Sequence, residues 1–193
     1  MITHTPNGRR LINCPPGIDP EAFARFAAAM RQRESGDRYH ITNPHGYLGA
    51  YQFGRARLAD YGFTKRLASS AGGYENDEFS WVPPWYEARL LANDSLQDRL
   101  FARHVADHLT WIKRRRLVRK VGEQVSALFV SPFNGRSLID PADDVTITLS
   151  GMVAVLHLVG YGGLDDLVRG KRDRVDGNGT SASDYLREFG GLF

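Results

Sequence analysis

The sequence predicts a mainly α-helical single domain with a small irregular or β-containing lobe. Three observations lead there. Capped, helical-period apolar stripes recur along the 193 residues, a Gly/Asn/Tyr/His-rich stretch interrupts them after the first, and 42% hydrophobic with 24% charged residues is near the globular average. A chain of this length can bury a proper core.

Residues 1–17 carry turn formers without a sustained apolar period, and Pro15-Pro16-Gly17 closes them as a stiff connector. They read as an N-terminal arm ahead of one domain over 18–193. The first helix begins with Asp19 as N-cap and Pro20 at the first helical position, where a missing N–H costs nothing. Phe23, Phe26, Ala27, Met30 and Glu34 then fall on one face, and Gly36 is placed to end the helix. From Gly36 to Gly54 the pattern is that of an irregular loop or small hairpin, followed by a short helix around Arg55 to Tyr61.

Residues 62–84 form a long connection of the kind that makes a rim or lid. Ser95 and Asp98 resemble a capping box and open a periodic helix with Leu96, Leu100, Phe101, Val105, Trp111 and Ile112 on a broad face. Residues 117–130 are expected to be helical, with a turn at Ser131-Pro132-Phe133-Asn134-Gly135. Ser150 to Val159 reads as a core helix ending at Gly160-Tyr161-Gly162-Gly163. A last helix starts near Ser181, with Asp184 as its capping partner, and stops at Gly190-Gly191.

Composition narrows the function classes. The longest apolar run, Met152 to Val159, is well short of the roughly 20 residues of a spanning helix, so no membrane insertion is expected. The N-terminus has no charged region followed by an apolar one, so no secretory signal peptide is expected. One cysteine, Cys14, excludes an internal disulfide and a Cys-rich zinc site. A net charge of +3 and a pI near 9.1 favour polyanionic partners.

The chemistry concentrates at Glu34-Ser35-Gly36, where an apolar helix face gives way to a Gly/Tyr/His-rich loop. A carboxylate projected from an apolar face into a cleft is poorly solvated, which favours its neutral form and lets it donate a proton near neutral pH. Twelve residues on, Gly46-Tyr47-Leu48-Gly49-Ala50-Tyr51-Gln52 combines two glycines with a stacking face in Tyr51 and an amide in Gln52, groups that bind sugars. His104 and His108 have the spacing of two metal ligands on a helix, but the motif lacks the glutamate of a zinc protease and no third ligand follows, so no metal and no cofactor are expected. Asp173 to Asp184 has the composition of a calcium loop without its glycine and glutamate in register, and reads as a structural turn.

These residues resemble the lysozyme-like lytic transglycosylases that cut bacterial peptidoglycan, including forms carried by phages. In that family a Glu-Ser pair ends a core helix and a Gly-x-x-Gly-(Ala/Leu)-x-Gln segment follows; Glu34-Ser35 and Gly46 to Gln52 match both in order. Ala154 to Gly163 is similar to the family's Ala-x-x-(Asn/His)-x-x-Gly-x-Gly helix end, and Asp176 to Gly191 to the tail of phage members. The stretch from 55 to 145 matches only loosely.

The resemblance implies a lysozyme-like fold and cleavage of the bond between N-acetylmuramic acid and N-acetylglucosamine. Glu34 would be the catalytic acid and then the base on the muramic C6 hydroxyl, giving a 1,6-anhydro end, with Ser35, Tyr51, Gln52, His157 and Tyr161 at the substrate. The implied partners are peptidoglycan glycan strands, with phage virion or secretion-machine proteins as carriers to the wall or periplasm, and no nucleic acid. Two other readings use the same residues. A hydrolytic muramidase needs a second carboxylate, for which Asp37, Glu75, Asp77 and Glu78 are candidates. A non-catalytic wall-binding component needs none. The basic cluster Lys113 to Lys120 suits DNA, anionic wall or plain solvent.

Overall fold

The structure, a computed structural model, describes residues 3–4, 10–11, 13–68, 78–125, 129–130, 137–138, 144–176 and 179–193. It is mainly helical, with short two-stranded antiparallel pairings. These residues divide into two compact units, Met1–Asn13 with Ala27–Ala102 and Cys14–Phe26 with Arg103–Phe193.

The first unit holds β1 (Thr3–His4) paired with β2 (Arg10–Leu11), and the C-terminal half of α1 (Pro20–Ser35). It continues through α2 (Arg55–Asp60), β3 (Thr64–Ala68), β4 (Glu78–Trp81), α3 (Glu87–Leu91) and the start of α4 (Asp94–Arg114). β3 and β4 form a hairpin with Thr64 opposite Trp81, so part of the expected rim is a β-ribbon. Between α1 and α2 the chain folds tightly on itself: Leu48 and Phe53 exchange backbone hydrogen bonds at 3.1 and 2.9 Å, and Gly49 N–H donates to Ile41 at 2.8 Å. This is the small hairpin-like lobe expected there.

The second unit holds the start of α1, the rest of α4, a 3-10 turn (Leu117–Lys120), β5 (Gln124–Val125), β6 (Phe129–Val130), β7 (Ser137–Leu138), β8 (Val145–Thr146), α5 (Leu149–Val168) and α6 (Ala182–Glu188). β5 pairs with β8 and β6 with β7. α5 and α6 pack closely because Gly151 has no side chain: a Cβ there would lie 2.7 Å from the Leu186 carbonyl oxygen. Ser150 Oγ ties the same crossing, donating to Phe189 O at 2.6 Å and accepting from Leu192 N–H at 3.1 Å. α5 is long and apolar enough to cross a membrane by length and composition, and 56% of it is buried inside the protein as a core helix is.

Local chemistry explains most helix ends. Asp19 Oδ1 accepts the Ala22 N–H at 2.8 Å, and Phe23, Phe26, Ala27 and Met30 are all buried, as the stripe predicts. Ser181 and Asp184 form the reciprocal capping box that opens α6. Asp173 and Asp176 accept backbone N–H groups of Ser183 and Thr180, so this segment is a structural turn.

Three expectations change. α4 is capped by Asn93, whose Oδ1 accepts the Leu96 N–H at 3.0 Å, and the supposed capping partner Asp98 is turned inward instead. The described residues of 117–130 form no α-helix: Arg116 and Gly122 sit at positive φ (58° and 91°) and stop propagation on either side of the 3-10 turn, and β-branched Val125 joins a strand. α5 runs past Val159 to Val168 because the backbone passes through a kink at Gly160 and resumes helical geometry. The expected turn at 131–135 lies outside the described residues.

Candidate functional site

In the first unit the site begins with the end of α1. Gly36 and Asp37 adopt left-handed φ (65° and 61°), and their N–H groups close onto Gln32 O at 3.1 Å and Arg31 O at 3.0 Å, so the helix stops here. Ser35 is buried; its hydroxyl donates to Arg31 O at 3.1 Å and accepts the Arg38 N–H at 3.0 Å. Glu34 stands on this last turn, half-buried, on a backbone pinned from both sides.

Beneath that turn is a buried ionic network that the sequence reading missed. Arg31 Nε donates to Asp37 Oδ1 at 2.6 Å and Arg31 Nη1 to the Tyr51 hydroxyl at 3.0 Å, while its guanidinium lies over the Tyr39 and Tyr51 rings. The Tyr51 and Tyr39 hydroxyls both donate to Asp98 Oδ1, at 2.9 and 2.8 Å. Burial opposes the charge on Arg31, but Tyr51, Asp37 and Tyr39 outweigh it, and the guanidinium is held protonated more firmly than usual. Burial, followed by the nearby Asp98, pushes the Tyr51 phenol well above its ordinary range against the pull of Arg31, so Tyr51 is a neutral relay between cation and carboxylate.

The signal was present in the periodicity. Arg31 continues the Phe23 and Ala27 row at four-residue spacing, and Asp98 shares the α4 row with Phe101 and Val105. A charge on each of two buried rows calls for a partner.

The glycine motif has a geometric basis. Gln97 Oε1 accepts the Ala50 N–H at 2.9 Å, and its Nε2 donates to the carbonyls of Tyr39 and Leu90 at 3.1 Å each. A Cβ on Gly49, itself at φ 73°, would overlap that amide. Gln52, at φ 48°, donates from Nε2 to Gly49 O at 2.8 Å and is buried. Tyr51 is 0% exposed and stacks on Phe101 with centroids 4.0 Å apart, so the face expected to meet a sugar is covered. Tyr51 and Gln52 hold the turn together; Glu34 is the residue of this group with surface to offer.

Compared with known proteins, the chain matches no family model, no curated protein and no solved structure. The resemblance in motifs therefore stands on residues 34–35, 46–52 and 154–163 themselves.

The second unit gathers the other two expected residues. His157 Nδ1 lies 3.1 Å from His104 Nε2, and the His104 ring contacts that of His108 at 3.9 Å between centroids. Tyr161 is 39% exposed and stacks on Trp111 at 4.7 Å, with the Arg115 guanidinium 5.8 Å from the Trp111 ring. Gly160 (φ 68°, ψ −171°) makes this possible, since the kink re-aims α5 between His157 and Tyr161 in a conformation open essentially to glycine alone. The arrangement is an exposed aromatic platform beside an imidazole pair, a combination that suits a ligand with apolar faces and hydroxyl edges.

Proposed function

We propose that this chain cleaves the β-1,4 bond between N-acetylmuramic acid and N-acetylglucosamine in peptidoglycan, as a lytic transglycosylase of lysozyme-like fold with Glu34 as its acid and base. The observation that carries the reading is the half-buried Glu34 carboxylate on a helix end braced by Arg31, Ser35 and Asp37, followed by the compact Gly46–Gln52 turn. Protonated Glu34 gives its proton to the glycosidic oxygen as the C1–O bond breaks. The resulting carboxylate then takes the proton of the muramic C6 hydroxyl while that oxygen bonds to C1, leaving a 1,6-anhydro ring and returning Glu34 to its acid form. Tyr51 and Gln52 act as positioning residues in the first unit; within the second unit, Tyr161 with His157 offers a stacking face and a hydrogen-bonding edge of its own for sugar.

A one-carboxylate mechanism is favoured over the hydrolytic alternative by Asp37. Its Oδ1 is engaged by Arg31 Nε at 2.6 Å, so the sequence candidate nearest to Glu34 already serves to brace the helix end. Glu78 is on β4, and Glu75 and Asp77 lie outside the described residues. Purified sacculi incubated with the protein should clear, and mass spectrometry of the products should show anhydro-muramic ends. Reducing ends alone would assign the hydrolase, and clearing that survives Glu34→Gln would reject both enzymes.

A further inference from the structure

We propose that the tip of α4 with the following 3-10 turn is a docking surface for anionic phospholipid bilayers. The inference is independent of the reading of Glu34. Six of the eight residues from Lys113 to Lys120 are cationic. Arg115 is engaged by Asp165 at 3.4 Å and Lys120 by Glu123 at 2.6 Å, whereas Lys113, Arg114, Arg116 and Arg119 are exposed with no carboxylate among the described residues paired to them. Arg169 adds a further cation beside Asp165, at 2.9 Å.

What sets this patch apart from a solvated helix end is its apolar tip. Val118 is 46% exposed and Val121 45%; Val118 lies in the 3-10 turn and Val121 is the extended residue that closes it, its N–H donating to Val118 O at 3.2 Å, so the turn brings the two valines close together. The turn is rooted rather than loose: Leu117 is buried, Gly122 N–H donates to Ile147 O at 2.8 Å, and Ile147 N–H donates to Glu123 O at 2.9 Å. Two presented valines ringed by unneutralised guanidinium groups match a surface that offers phosphates above and hydrocarbon below. Nucleic acid or a wall polyanion would satisfy the arginines and leave the valines in water.

The test is sedimentation of the full chain with sucrose-loaded phosphatidylcholine vesicles with and without phosphatidylglycerol, beside titration of a fluorescent DNA duplex, at low and raised salt. Of the two kinds of vesicle, only those with phosphatidylglycerol are expected to bind the protein, and more tightly than the duplex does. Arg114→Gln and Arg119→Gln should each weaken it about fivefold at low salt. Val118→Ser with Val121→Ser should weaken vesicle binding without moving DNA binding, and Val121→Trp should show a blue shift of emission on phosphatidylglycerol vesicles. Binding indifferent to phosphatidylglycerol, vesicle binding untouched by the serine changes, or a Val121→Trp spectrum that does not move would overturn the proposal. So would DNA binding tighter than vesicle binding.

Discussion

Tyr51 and Asp98 meet through a 2.9 Å hydrogen bond in which a phenol with no exposed surface donates to a carboxylate that also holds Tyr39. Arg31 lies 3.9 Å from the same oxygen, so removing the carboxylate takes the acceptor from two buried phenols and a nearby anion from the guanidinium, which keeps Asp37. Asp98→Ala should cost about 3 kcal/mol or more in urea unfolding. Asp37→Ala should cost under about 1 kcal/mol, because that carboxylate is 55% exposed and its pairing is screened by water.

The same phenol gives stability an alkaline limit. Its folded pKa lies above the ordinary tyrosine value of 10.0, so the folded state binds the proton more tightly than the unfolded chain. Stability from this source is full below pH 10 and falls as pH rises from there toward the folded value. Unfolding curves across that window should decline more steeply for the wild type than for Tyr51→Phe, which starts lower through its lost hydrogen bonds but lacks this proton.

Two glycines of one motif should respond differently to alanine. Gly49→Ala must both adopt positive φ and displace the Gln97 amide, and is expected to lose at least about 2 kcal/mol. Gly46, at φ 80° with nothing near its missing Cβ, should lose only about 1 kcal/mol. Chemical denaturation of the two variants measures the difference.

Gly151→Ala should weaken the α5–α6 crossing by about 1–3 kcal/mol, since the added methyl meets the Leu186 backbone oxygen rather than a movable side chain. Differential scanning calorimetry would register this as a lower melting temperature with the helical far-UV spectrum retained.

Glu34→Gln should lower the rate of sacculus clearing by about 10²-fold or more, because the amide keeps the shape and cannot give a proton. Its urea midpoint should stay close to the wild-type value, since Arg31, Ser35 and Asp37 hold the helix end without it.

Local chemistry made much of this fold readable. Asp19 and Pro20 open α1, Gly36 closes it, and Ser181 with Asp184 opens α6, each through bonds reaching only a few residues. The two-residue strands were not readable, because a pairing such as Gln124 with Thr146 is too short to show a period. The network under Glu34 stayed hidden for a different reason. Arg31, Tyr39, Tyr51 and Asp98 come together only after folding, and Tyr51, read as a sugar platform from its neighbours in sequence, is claimed by Phe101 from α4. Ser95 looked like the cap of α4, while Asn93, two residues earlier, has the geometry.

The break in α5 divides one long helix into two separately closing segments. Gly160 interrupts the i to i−4 ladder, so amide deuteration should map the helix as two blocks. The Leu149–Leu156 block, buried against α6, should retain its hydrogens longest, and the block carrying Tyr161 should take up label first.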